Sequence, residues 1–453
     1  MRSLRGLKEF VDLLEDRGEA LRIDTPLNPK HEIAAVLHET GKKEAPALLF
    51  ENVKGASMPL VGNLLGTKKR LALALGIEEE TLLKGYLPNM EKSVPVKLLA
   101  EASDRKVLSA KKDIDLKRLL PVLTHYQKDS GPYVTCGVTS ARDPRNGSIG
   151  RGLHRMGVRG KDKLGINLVN PPLADIYRFH VRQGSRMEVA TAIGVDPSIL
   201  IATVLKMPGG VDKFEGAGGL IGEAVCVEKA KSVDINVPAN AEVIIEGFID
   251  PKAEKRGGTM GESGGYYMSF GQNPTINVTA VTLRPNPCFQ AMLPWSLEVD
   301  HLLSFIHGLN FIPKMKKMIP TILDVHFVPG TFGAHVVMAM NNPNKGEIRC
   351  ALTMAMSFTN IKQVVVVDED VNPRDYLEVE WAVTTRCQPD KDMIVIPALR
   401  GQPIDPSAGE GFATAKIGID ATRPKKDGFE KVGFPEAVRK KVASVINGIE
   451  KRG

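Results

Sequence analysis

Apolar residues Leu4, Leu7, Phe10, Val11 and Leu14 recur every three or four positions at the start of the chain. That spacing puts them on one face of a helix, predicted over about 3–17. A short strand at 21–23 follows, then a helix over about 30–42, the strand-like run "ALLFENV" and a helix at "KKRLALALGI". Such mixing predicts an α/β lead domain. After about 115 the pattern changes. The runs "YVTCGVTSAR", "LGINLV", "MEVATAIGV", "EAVCVEKA", "EVIIEGFID" and "TINVTAVTLRP" are separated by Gly, Pro, Asp and Asn. Strands at this density, punctuated by turn residues, predict a β-rich sheet or barrel. The helical segment "PPLADIYRFHVRQG" interrupts it. From about 301 helices and strands alternate again, with "VDHLLSFIHGL" helical and "ILDVHFVP", "AHVVMAMN" and "QVVVVDED" extended. Residues 364–367 are apolar on both faces, as in the interior of a parallel sheet. "PEAVRKKVASVINGIEK" closes the chain as an amphipathic helix. The expected class is α/β (α+β), with an N-terminal α/β domain over 1–112, a β-rich domain over 113–305 and a C-terminal α/β domain over 306–453.

Composition narrows this picture little. A chain of 453 residues, 43% hydrophobic and 25% charged, has material for several cores. Aromatics make up only 5%, so Val, Ile, Leu and Met must fill them. The net charge of +7 fits either a solvated basic surface or attraction of a phosphate or carboxylate ligand. It does not point to nucleic acid: no basic run is interleaved with aromatics, and the densest basic segment, "RPKKDGFEKV", is broken by Asp427 and Glu430. Cys136, Cys226, Cys288, Cys350 and Cys387 lie far apart with no CxxC spacing. That argues against a disulfide framework and a zinc site, and for the reducing cytoplasm. No signal-peptide pattern opens the chain, and no apolar run approaches the ~18 residues of a membrane span. There is no dinucleotide fingerprint, P-loop or nucleophile elbow.

One stretch asks for a chemical explanation. "GGTMGESGGYY" holds five glycines around one acid, Glu262, with Tyr266 and Tyr267 behind it. Glycines let a backbone pass close to a bulky group. Further upstream, "LTHYQKDSGPY" places His125 and Asp129 close enough to poise a proton, although Asp-Ser-Gly-Pro is first of all a turn signal. The acids of "DED" at 368–370 read as a solvated strand end or a helix cap.

Taken together and in order, several segments resemble the UbiD family of reversible decarboxylases over nearly the whole chain. They are "LPVLTHYQKDSGPYVTCGV", "HRM" at 154–156, "VATAIGVDP", "GAGGLIGEAV", "VPANAEVIIEGFIDP", "MGESGGYY", "VVVVDEDVNPRDYLEVEWAVTTRCQPDKDMIVIP" and "AKIGIDATRP". The resemblance implies a split-β-barrel flavin domain between an N-terminal α/β domain and a C-terminal α/β oligomerisation domain. It implies prenylated FMN, or FMN, held through manganese and potassium at its phosphate, with a flavin prenyltransferase as supplier. The substrate class is an aromatic or α,β-unsaturated carboxylic acid, and the assembly a homo-oligomer, dimer or hexamer. No nucleic-acid or membrane partner is expected.

Such chemistry needs an electron sink, which side chains do not provide and a cofactor does. The protein adds a cation for the carboxylate, an acid for the proton and a dry pocket. Arg155 matches the family's arginine, whose guanidinium forks onto a carboxylate. Glu262 matches the last acid of the family's E-G-P-F/Y-G-E/D pattern and is the expected proton donor, its pKa raised by desolvation. Arg151, His154, Met156 and Glu223 are the expected cofactor neighbours.

The pattern is broken at three places. Gly257 stands where the family has a first glutamate, and Glu254 is the nearest acid that could reach back to the arginine. Of the metal ligands, Gly150 replaces an asparagine and Leu173 a histidine, so only Glu223 matches. One carboxylate does not make a divalent site. His154 and His180 are possible replacements, each read first as a packing histidine. Arg151, beside the lost asparagine, could instead meet the flavin phosphate directly, with Glu223 balancing its charge. These departures leave two other readings open: a partner-dependent subunit of a multi-subunit aromatic carboxylase, and a flavin-binding or assembly protein that keeps only the fold.

Overall fold

Leu7, Phe10, Val11 and Leu14 are all buried and form the inner face of helix Leu7–Asp16, within the helix their spacing predicts. Each such burial is worth roughly 1.5–3 kcal/mol before chain entropy is counted. The computed structural model describes residues 6–79, 82, 92–101, 103–109, 112–207, 210–424, 429 and 431–450. Leu4, Asp427 and Glu430, named above, lie outside them. Helix Glu32–Gly41 and strands Ala20–Ile23, Ala47–Phe50 and Leu60–Gly62 follow as the pattern predicts. Their four-stranded sheet is completed from far along the chain by Phe289–Gln290, which pairs in parallel with Leu60–Gly62.

The central element is a ten-stranded sheet. Its path runs Tyr133–Val134, Met156–Val158, Lys163–Ile166, Tyr267–Leu283, Val243–Ile249, Met187–Ile193, Gly137–Arg142 and Ile149–Leu153. Strand Ile149–Leu153 ends the path, yet only His154 and Arg155 separate it from Met156–Val158 near the opposite end. In the same way Thr135 and Cys136 alone join Tyr133–Val134 to Gly137–Arg142. A chain link of two residues spans only about 10 Å. The two ends of the sheet are therefore brought together, and the sheet is curled into a barrel with a seam at 135–136 and 154–155.

An arm leaves this barrel. Strand Lys255–Gly261 pairs antiparallel with the first half of Tyr267–Leu283. The second half of that long strand belongs to the main sheet, against Val243–Ile249. The expected glycine-rich loop is therefore the end of a β-hairpin, with Glu262 in its turn.

Helix Leu297–Met318 leads into the C-terminal sheet and runs across position 305/306. That sheet has the order Ile322–Phe327, His335–Met340, Gln363–Asp368, Ala413–Asp420, Met393–Arg400. Gln363–Asp368 is parallel to both its neighbours, and Val364, Val365, Val366 and Val367 are buried. Residues covered by helices on both sides of a parallel sheet have no polar face, which is why this run reads as unbroken valine. Among the described residues no helix is long and apolar enough to cross a membrane.

Candidate active site

Arg155 sits on the barrel seam, between the ends of Ile149–Leu153 and Met156–Val158. Its carbonyl accepts the Asn167 N–H at 3.1 Å, which ties the crossing to the next strand. His154 beside it is buried, with Nδ1 2.8 Å from the Asn167 carbonyl. Burial lowers the His154 pKa, so the ring is neutral near pH 7. This is a structural histidine locked into the seam. Met156 is fully buried, its sulfur 3.7 Å from the Thr191 hydroxyl, and it packs inside the barrel wall.

Glu262 arrives from the other direction, at the end of the hairpin arm. Its N–H donates to the Tyr266 carbonyl at 3.0 Å, and its carbonyl accepts from Gly265 N–H at 2.9 Å. Gly265, at φ +78°, makes the return that a side chain would disfavour and lies against the Trp295 indole. The carboxyl end is buried: Oε1 accepts the Ser263 N–H at 2.9 Å, and Oε2 meets Nη1 of Arg155. The two groups singled out from the sequence are thus brought into direct contact, although 107 positions apart. Arg155 keeps 26% of its side-chain surface exposed against 10% for Glu262, so it is the more open of the two side chains. Burial lowers Arg155 to about 10, which leaves it charged at neutral pH.

The glycines of the arm have a role the sequence reading did not assign. A Cβ at Gly261 would run into the Tyr126 ring, and one at Gly258 into the Tyr133 hydroxyl. They allow close approach to two tyrosines of the protein. Tyr266 and Tyr267 are 63% and 40% exposed. Tyr267 nevertheless meets the Tyr126 ring edge-on at 6.5 Å.

Other expectations are corrected. Glu254 does not reach back to Arg155. It lies beside Arg159, whose burial lowers its pKa while the Glu254 charge opposes that. Arg151 is buried against the barrel. Its Nε meets Asp212 at 3.0 Å, its Nη1 donates to Ser140 Oγ at 2.7 Å, and its guanidinium lies 3.5 Å over the Phe214 ring. The carboxylate that balances it is Asp212, where Glu223 was expected. Asp212 also caps helix Lys213–Ile221 by accepting the Phe214 N–H. An aspartate placed just before an apolar helical run was the available sequence signal. The segment "GAGGLI" lies in that helix. Glu223 is exposed and lines a cavity of about 380 Å³ with Cys226, Asn240 and Arg284. His180 closes its own helix end, with Nδ1 2.9 Å from Ser185 Oγ. Asp368 and Asp370, read as a solvated end or cap, both pair with the buried Arg386.

Among the described residues, the expected ligand positions do not form a divalent-metal site. The strand position of Gly150 is closed by Ile176 and Pro172, and Leu173 is fully buried. Among the described residues no group of three His, Cys, Asp or Glu converges. Arg155 and Glu262, by contrast, bring a guanidinium and a carboxyl together at the barrel seam.

Models of the three domains of 3-octaprenyl-4-hydroxybenzoate carboxy-lyase match the chain. The N-terminal domain matches residues 11–88, the Rift-related domain 97–297 and the C-terminal domain 300–421. The anhydromevalonate phosphate decarboxylase of Methanosarcina mazei is 32% identical over 95% of this chain and 99% of its own.

The chain belongs to the UbiD family.

Solved UbiD-class structures share its whole fold. HmfF from Pelotomaculum thermopropionicum, in complex with FMN, has a TM-score of 0.89 at 34% identity over 97% of this chain and 99% of its own. An evolved dimeric form of HmfF in complex with prFMN has a TM-score of 0.85 at 33% identity, with the same coverage. The 3,4-dihydroxybenzoic acid decarboxylase of Enterobacter cloacae has a TM-score of 0.89 at 25% identity, over 98% of this chain and 100% of its own. The fold class read from the sequence, a split β-barrel between two α/β parts, is that of these UbiD proteins.

Proposed function

We propose that this chain is a prenylated-FMN-dependent carboxy-lyase, acting reversibly on an aromatic or α,β-unsaturated carboxylic acid. The observation that carries this is the contact between Arg155 and Glu262 at the seam of a barrel whose structural neighbours bind FMN and prFMN. When bound, the flavin supplies the electron sink for the carbon that loses CO2.

The chain's own residues supply the rest. A substrate carboxylate competes with Glu262 for Arg155 and takes the fork of the guanidinium. Glu262, separated from its cation in a buried place, is then better off neutral and takes up a proton. Cleavage of the C–CO2 bond releases CO2 and leaves its electron pair on the carbon. Glu262 delivers its proton there, closing the balance of acid in, hydrocarbon and CO2 out. The ionised carboxylate returns to Arg155. The reverse sequence is carboxylation, in which Glu262 receives the proton. Because Gly257 replaces the family's first glutamate, Glu262 is also the acid that holds Arg155 while no substrate is present.

A flavin prenyltransferase must supply the cofactor. Exposed Val438, Val442 and Val445 on helix Glu436–Glu450 support a homo-oligomer. The test is to produce the chain with and without a flavin prenyltransferase and assay cinnamic, hydroxybenzoic and heteroaromatic acids. Turnover should require the prenylated cofactor and disappear in Arg155→Ala and Glu262→Gln. Turnover that survives both substitutions rejects this site. Turnover only in the presence of a partner chain would favour the subunit reading.

A further inference from the structure

The arm that carries Glu262 is paired on one side only by strand, with Tyr267–Leu283. Its other side is held by the turn at 126–130. Ser130 N–H donates to the Thr259 carbonyl at 2.8 Å, and Thr259 N–H donates to Ser130 Oγ at 2.6 Å. The next rung is made by a side chain: Gly261 N–H donates to Asp129 Oδ1 at 2.9 Å. The other oxygen of Asp129 accepts two backbone donors of its own turn, His125 N–H at 3.1 Å and Tyr126 N–H at 3.0 Å. His125 Nδ1 stands 3.7 Å from that oxygen, and both side chains are fully buried. Burial pulls the Asp129 carboxyl upward, but the His125 ring and the Tyr126 and Gly261 N–H groups outweigh it and hold the pKa below the ordinary value.

The donors around Asp129 allow one kind of side chain. All three N–H groups need acceptors, and they approach both oxygens. A carboxylate accepts on both, whereas an amide accepts on one and presents hydrogens on the other. Asparagine can serve Gly261 or its own turn, but not both. A purely local turn could be closed by asparagine. The need for a second acceptor arises only from the arm.

We propose that the 126–130 turn, through Asp129, is a positioning element for the proton donor: it acts as an outside strand that fixes Gly261 and thereby the height of Glu262 against Arg155. Asp129 acts through Gly261 and touches no reacting atom. The inference rests on the decarboxylase reading for its kinetic part, but not for its structural part.

The experiment follows amide hydrogen exchange of residues 257–267 by mass spectrometry in the cofactor-free chain, with kcat and KM measured after loading. Asp129→Asn should speed exchange at the Gly261 amide at least tenfold. It should lower kcat about tenfold, with KM and FMN affinity within twofold of wild type. Unchanged exchange, unchanged kcat, or a loss that tracks KM and FMN affinity would overturn the proposal. If Asp129→Asn does not fold, Ser130→Ala decides by the same criteria, with Thr259 as the amide that must lose protection. A wild type that turns over no acid while the exchange effect is present would sink the decarboxylase reading and leave the clamp standing.

Discussion

Nη1 of Arg155 and Oε2 of Glu262 meet directly at the barrel seam, so the cation and the acid expected to flank a substrate first hold one another. On the proposed function, Glu262 stands in for a substrate carboxylate, and binding and proton loading are one event.

A carboxylate ligand should therefore bring a proton with it. Titration calorimetry of a non-reacting aromatic acid into FMN-loaded protein near pH 7, in two buffers of different ionisation enthalpy, should report uptake of about one proton per ligand. In Glu262→Gln the uptake should vanish. Equal heats in both buffers for the wild type would contradict displacement of Glu262.

Arg155→Lys should not rescue activity. An ammonium is a point charge without the planar fork that seats a carboxylate over a ring. CO2 release should fall at least tenfold in the lysine variant. In Glu262→Gln, which cannot donate, it should fall by about two to four orders of magnitude.

Gly261→Ala should injure the site without changing any polar group. Its Cβ would meet the Tyr126 ring. Overpacking of this kind costs about 1–3 kcal/mol. The thermal midpoint should drop, and kcat should drop with it. Tyr126→Leu in the same chain should return part of the stability, as measured by a double-mutant cycle.

The contribution of Glu298 to stability should fall as pH rises from 5 to 8, against His307, His326 and His335, whose pKa values are lowered by burial and act in the opposite sense below about 6.5. Glu298 is buried on the first turn of helix Leu297–Met318, where its Oε1 accepts the Leu65 N–H at 2.9 Å. Burial raises its pKa from 4.5 to about 7. The folded chain thus prefers the protonated acid. This contribution is fully present below pH 4.5 and is lost as pH climbs through 7. The gap is on the order of 3 kcal/mol. Asp300, raised to about 6 by burial, acts in the same sense. Relative to the wild type, the thermal midpoint of Glu298→Gln should rise as pH climbs from 5 to 8.

The buried Arg151–Asp212 pair should matter to folding rather than to metal. Removing one partner of a buried pair leaves an uncompensated charge and costs about 3 kcal/mol. Denaturation of Asp212→Ala should show this loss. Flavin-loaded wild type should carry manganese well below one ion per flavin. Stoichiometric manganese would contradict the absence of a donor set at Gly150 and Leu173.

Much of the fold was legible because it depends on local period. The face of Leu7, Phe10, Val11 and Leu14 gave a helix, and the valines at 364–367 gave a strand buried on both sides. The pairing of Phe289–Gln290 with the first sheet was not legible, since no period relates it to a partner more than 200 positions away. Arg155 and Glu262 were singled out by motif, and the structure brought them together. Its surroundings were misread wherever several chemically similar partners were available. Arg151 took Asp212 over Glu223, and Glu254 lies beside Arg159.

By itself the sequence determined the periodic elements, the three-part order, and the residue types able to hold a carboxylate and move a proton. Periods of 3.6 and 2 are written in neighbouring residues, and so is side-chain chemistry. Only the tertiary structure decided that the glycines of the arm face Tyr126 and Tyr133, that Asp129 supplies the missing rung, and that Arg155 and Glu262 touch. These depend on how a curled sheet closes its seam, and closure brings together atoms whose separation along the chain carries no record of their distance in space.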